Sequence, residues 1–593
     1  MRKTRFLMSL PILASIAFGT GPAIAQEKTP QKSTELHKVI DAYWSYSLDQ
    51  YPVFASSLGI EDSENRVSDA SLEAEDQRVE KARQWLKQLD MIDQAGLSED
   101  DKTNYGILYR SLAEQIEATT YGQRTINFTN RSGWHQSFAS MQNNLPFRNA
   151  ADYQSYIDRL KHYPKINAQS IAVANKAIAG GYVQPCVSML GYGTSISGLI
   201  TDDPKETRFY QPFTRTRPDT IDPDTFDRMA SEATTVISTI IKPELEKHFD
   251  WYTTEYAPKC ATSPGVSAQP GGDKYYDFRI RQMTTTERSA DEIHNIGLSE
   301  VARIRAEMVE VSKEAGYATR EAFIEHLRTD PKYYAKTPEE LMEKVARVTK
   351  IIDGKMPSII GKLARLPYGI KEIPAETAEN TTTAYYNGGS PDVGIAGFYY
   401  VNTSKLDQRP FWEIPALSVH EAVPGHHMQI ALQQELDMPD FRKHGSYFTA
   451  FVEGWGLYSE RLGIEMGLYD TPAKNMGRLS YEMWRACRLV VDTGIHSKGW
   501  SKQRAIDFMT DNTALSEANI EAEVNRYISW PGQALAYKMG ELKIRELRGK
   551  ATEALGDRFD LREFHDVVLG QGAVPLDMLE AQVNRWIEGK LES

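Results

Sequence analysis

Cysteine is scarce in this 593-residue chain, which holds only Cys186, Cys260 and Cys487. Three are too few for a small disulfide scaffold, and they lack the spacing of a cysteine metal site. Stability must therefore come from an apolar core, which a chain of this length readily supplies. In an oxidising compartment Cys186 and Cys260 could pair, although spacing alone does not establish it. Basic residues are in deficit, with 68 Lys and Arg against 81 Asp and Glu and a formal charge of −13. Phosphate binding needs a basic surface, so no nucleic-acid partner is expected. Long apolar runs are missing beyond the N-terminus, and no membrane anchor is expected.

The N-terminal run has a specific form. Arg2, Lys3 and Arg5 precede an apolar stretch from Phe6 to Phe18, which stops at Gly19. Ala23-Ile24-Ala25 then sets small residues where signal peptidase cuts, so residues 1–25 read as a signal peptide and the mature protein as periplasmic or secreted. The run is short for a bilayer span, and no cysteine beside the cut could carry a lipid. Its removal takes three basic and no acidic residues, moving the formal charge to −16.

Helical periodicity dominates the rest. Ile293, Ile296, Ile304, Met308 and Val311 recur at intervals that fit one helical face, and 34–50, 76–91, 225–249, 338–352, 447–466 and 476–495 have the same character. The best strand signal is Gly397–Asn402, an aromatic and β-branched run after the turn-rich 387–392. It is expected to be an edge strand beside a bound peptide. Turn-rich stretches at 200–223 and 257–275 are the candidate seams. These features predict a mostly α, two-lobed protein, with an N-terminal helical lobe over 26–270 and a C-terminal one over 271–593.

The chemistry concentrates at His420-Glu421-Ala422-Val423-Pro424-Gly425-His426-His427. Pro415 suits a first helical turn, so His420 and Glu421 should lie on a helix. In His-Glu-x-x-His the two histidines lie four apart and share a zinc ion, while the Glu acts as base. Here the fourth position is Pro424. On a straight helix His427 would stand about 10 Å further along the axis, and His426 would point roughly 120° away, so a regular helix fails for either. Pro424 removes a helical N–H and Gly425 adds freedom, so a local bulge could return His426 to the site. Downstream, Glu453 stands among Phe451, Val452 and Trp455, where an unpaired carboxylate would be costly to bury. A metal ion would satisfy it; a salt bridge to Arg485 or Arg488 is the competing reading. Arg526 and Tyr527 are candidates to hold a substrate carboxylate, against a structural ion pair of Arg526 with Glu523.

The octapeptide, with Phe451-Val-Glu-Gly-Trp455, resembles the bacterial domain-of-unknown-function family 885, grouped with the zincin peptidases of the thermolysin-like clan. Arg485-Ala-Cys-Arg488, Asp492-Thr-Gly-Ile-His496, Glu523-Val-Asn-Arg526-Tyr527 and Pro531–Tyr537 carry the resemblance further. The chain is more distantly similar to thimet-type oligopeptidases, whose His-Glu-x-Gly-His precedes a Phe-Val-Glu stretch; two extra residues stand before Gly425-His426 here. The resemblance implies a zincin-like helical fold with a small β-sheet beside the metal helix. It implies Zn2+ on His420, His426 and Glu453, with Glu421 as general base and Tyr537 and His496 as oxyanion donors. The implied activity is hydrolysis of short peptides. A zinc hydrolase of another amide and a catalytically inactive periplasmic binding protein are the alternatives, although retention of Glu421 speaks against the last.

Overall fold

The computed structural model describes residues 33–60, 65–378, 381–391 and 394–592; the expected signal peptide lies outside them. The chain is mostly α-helical, and helix bounds follow the apolar spacing. The 291–311 stripe forms α1 (Ala290–Glu314), opened by a reciprocal capping box between Ser289 and Glu292. Stretch 225–249 runs as Pro223–Val236, a wider turn at Ile237–Ile241 and Lys242–Trp251. Pro243 cannot donate to the preceding turn, and the widened turn absorbs that loss. The chemistry-bearing half adds α2 (Ile414–Glu421), α3 (His426–Glu435), α4 (Thr449–Leu462), α5 (Pro472–His496), α6 (Glu517–Ser529) and α7 (Ala536–Leu555).

Three strands, β1 (Tyr368–Glu372), β2 (Ala384–Asn387) and β3 (Gly397–Val401), form one sheet in the order β1-β3-β2. The Gly397–Asn402 run, expected at an edge, is the centre: β3 pairs parallel to β1 and antiparallel to β2. Tyr399 and Val401 face a core shared with Ile414 and Leu417 of α2, and this alternation fixes β3 beside the metal motif. The edges belong to β1 and β2 instead.

The cores do not divide at residue 270. One core takes its buried residues from Phe128–Tyr256. Another joins Leu36, Ile40, Trp85 and Leu108 to Met428, Trp455, Ile544 and Leu579. The first helices thus pack with the last ones. Cys186 and Cys260 form a disulfide within the 128–260 segment, and Cys487 is free and buried. Among the described residues, no helix is long and apolar enough to cross a membrane.

Candidate metal centre

The motif folds as two helices rather than one bulged helix. α2 stops at Glu421, the Val423–Pro424 peptide is cis, and α3 begins at His426. Two contacts hold this break. Gly425 donates its N–H to the Val419 carbonyl at 3.0 Å, and a Cβ there would lie 2.0 Å from the His420 carbonyl oxygen, so no other residue fits without a shift. Trp455 of α4 donates its indole N–H to the Pro424 carbonyl at 2.7 Å. The break sets the His426 ring 4.6 Å from that of His420, at 85°.

Both imidazoles point Nε2 at one oxygen of Glu453. Oε2 lies 3.6 Å from His420 Nε2 and 3.4 Å from His426 Nε2. A tetrahedral ion with bonds of about 2.0–2.2 Å holds its ligand atoms about 3.3–3.6 Å apart, so the spacing suits a metal better than direct hydrogen bonds. Glu453 Oε2 is buried with no hydrogen-bond partner, a costly state unless a cation satisfies it. The three buried side chains could hold a metal ion. The competing salt bridge does not form: Arg485 pairs with Glu460 at 3.3 Å and Arg488 with Glu523 at 2.9 Å.

A further carboxylate orients His420. Glu460 accepts from His420 Nδ1 at 2.8 Å, which fixes the tautomer and leaves Nε2 free to ligate. Burial pulls the His420 pKa down, but the neighbouring carboxylates of Glu453 and Glu460 outweigh it and lift the group to about 9. Burial works against ionisation of Glu453, yet the two histidines hold it well below the ordinary carboxylate range. Glu421 is raised, since burial outweighs the attraction of His420 and His426. His427 is turned away: its ring bonds the Tyr386 hydroxyl and the Leu366 carbonyl, both at 2.9 Å. Burial depresses it to about 4.

The centre opens into a cavity of about 720 Å³ that Glu421, Tyr537, Arg526, Arg131 and Tyr447 also line. Of the predicted residues, His496 and Tyr527 fall outside that lining. His496 is fully buried; it accepts from the Val266 N–H at 3.1 Å through Nδ1 and bonds the Tyr527 carbonyl at 2.9 Å through Nε2. No ring nitrogen remains for an oxyanion, so that expectation is corrected to a structural role. Tyr527 is likewise buried, its hydroxyl accepting from Trp484 Nε1 and Arg488 Nε at 2.9 Å; it braces Arg488 rather than meeting a ligand. Arg526 both lines the cavity and makes the structural ion pair, 3.3 Å from Glu523.

Sequence reading missed Glu460 and Tyr447. Tyr447 lines the cavity while 59% of its surface stays exposed, and desolvation on the cavity side together with the charge of Glu453 raises its hydroxyl pKa well above the ordinary phenol value. Glu460 stands seven residues after Glu453, two turns along the same face of α4; that spacing was a signal in the sequence. Tyr447 gave none.

Residues 52–583 match the family model described as bacterial protein of unknown function, DUF885. A solved structure described as a candidate lipoprotein from Colwellia psychrerythraea is 28% identical, with a TM-score of 0.86 over 94% of this chain and 99% of that one. A second, a candidate lipoprotein of unknown function from Shewanella oneidensis, is 17% identical with a TM-score of 0.70 over 93% of this chain and 99% of that one; this likeness is one of fold. No curated protein matches significantly.

Proposed function

The chain belongs to the bacterial family of unknown function DUF885, and on that footing we propose that it is an exported zinc-dependent peptidase. One observation carries the reading: the buried cluster of His420, His426 and Glu453 shares its cavity with the acid–base candidate Glu421. Two imidazoles and a carboxylate are a zinc donor set that leaves a fourth position open. The grouping with zincin and thimet-type peptidases, carried by the motif, agrees with that set.

When bound, zinc supplies the Lewis acid that polarises a carbonyl and acidifies water. Glu421 takes the proton of the attacking water and passes it to the leaving amine; its burial-raised pKa suits both steps. The Tyr447 and Tyr537 hydroxyls, in the same cavity wall, donate to the developing oxyanion. The edge strand β2 gives Ala384, Tyr385 and Tyr386 to that wall, and an extended peptide lies along it. Export accords with the Cys186–Cys260 disulfide, with the N-terminal sequence, and with the description of the two similar structures as candidate lipoproteins.

The test is cleavage of a mixed peptide library by zinc-loaded protein, followed by mass spectrometry. Cleavage should vanish with chelator and return with zinc. Glu421→Gln should keep the metal and lose about 10²–10⁴-fold in rate. No cleavage, or full activity in Glu421→Gln, contradicts the reading.

A further inference from the structure

Three arginines of the cavity wall, Arg131, Arg488 and Arg526, converge on a single carboxylate. Glu523 lies 2.9 Å from Arg488 Nη2, 3.3 Å from Arg526 Nη1 and 3.6 Å from Arg131 Nη1. It is 1% exposed, and although burial opposes its ionisation, the three guanidiniums hold its pKa at about 2. The cluster therefore carries three positive charges against one negative charge. A structural ion pair needs one arginine, and excess charge in a desolvated place is costly unless a further anion completes it.

The remaining neighbours are uncharged. Arg526 donates to the Tyr537 hydroxyl at 3.0 Å and to Gln533 at 2.5 Å. Arg488 donates to the Tyr527 hydroxyl and lies against the rings of Trp484 and Tyr537, 4.6 and 4.1 Å from their centroids. These contacts fix the guanidiniums in place without neutralising them. Arg488 Nη1 is buried and has no hydrogen-bond partner, which leaves one fixed donor unclaimed in the wall that also holds the metal cluster. Arg131 comes from the segment next to the Phe128 core, so the cluster is completed only where that core meets α5 and α6.

We propose that Arg131, Arg488 and Arg526 form an anion subsite that grips a carboxylate of the peptide, making the substrate one with a free carboxylate close to the scissile bond. The proposal rests on the peptidase reading for its substrate, and its recognition chemistry is testable without turnover. Guanidinium forks match a carboxylate in geometry and charge. The carboxylate is either the chain's C-terminus or an acidic side chain.

The test uses three peptides of one sequence: a free acid, its C-terminal amide, and an amide ending in Glu. Binding to zinc-loaded Glu421→Gln is measured by calorimetry, and kcat/KM is measured with the wild type. At least one carboxylate-bearing peptide should bind about tenfold or more tightly than the plain amide. The free acid winning assigns the C-terminus; the Glu-amide winning assigns a side chain. Arg131, at 30% side-chain exposure, tolerates truncation, and Arg131→Gln in the same background should shrink the preference toward one. Equal binding of all three, no binding, or an Arg131→Gln preference like the parent's overturns the subsite even if the wild type cleaves. A clear binding preference with no cleavage upholds the subsite and sinks the peptidase reading instead.

Discussion

Behind His420 stands a chain of buried groups, with Glu460 bonded to its Nδ1 and Arg485 bonded to Glu460. Partners of this kind hold a ligand ring and raise its basicity, and their loss typically weakens metal affinity about ten- to hundredfold. Glu460→Gln should show that loss in competition with a chromophoric chelator while its near-ultraviolet dichroism stays native; unchanged affinity would remove Glu460 from the site. In the metal-free protein His420 titrates at about 9, so at neutral pH an incoming ion must displace its proton. Affinity should therefore rise about tenfold per pH unit toward 9 and then level off, and a flat profile between pH 6 and 8 would contradict the arrangement. His420, Glu421 and Glu453 were legible because residue type, spacing and apolar company agree on one chemistry. Glu460 offered only its seven-residue spacing from Glu453, and a glutamate on a helix is ordinary until its partner is known. His496 misled: a histidine in a matching motif says nothing of which atoms its nitrogens will meet.

At the level of elements, the placement of His426 depends on how α2 ends. Pro424 and Gly425 announced an interruption, and the sequence allowed a bulge. Only the long-range bond from Trp455 and the clash a Cβ would make at position 425 show why a complete break is held. α4 depends on a similar close approach. Gly454, next to Glu453, meets Gly540 of α7, and a Cβ at 540 would stand 1.8 Å from the Ala450 carbonyl oxygen. Gly540→Ala should drive the helices apart, cost about 1–3 kcal/mol as other overpacking does, and lower zinc occupancy through Glu453. Denaturant unfolding and metal analysis check both, and wild-type values would contradict the packing account. A glycine inside a helix reads as a mild local penalty, so the sequence gives no hint of this crossing. The central place of β3 was equally hidden, because an alternating strand looks the same with one neighbour as with two.

Across the whole molecule, the helical class was legible from periodicity, whereas the packing of the first helices with the last was not. Periodicity tells which face of a helix is buried but not which helix buries it. The packing of Leu36 and Trp85 with Trp455 and Leu579 spans most of the chain. Lys538 ties the functional half together more locally: it is fully buried against Glu300, Glu482 and Glu541, at 2.9, 3.0 and 2.9 Å, and so links α1, α5 and α7. Within that frame the break at Pro424 and the crossing at Gly540 bring three distant residues to one point. Metal content of the purified protein, compared with His426→Ala and His427→Ala, tests that convergence most directly. The wild type and His427→Ala should retain about one zinc per chain and His426→Ala should lose it. A metal-free wild type that takes up no zinc on incubation, or zinc lost with His427 and kept without His426, would contradict the site.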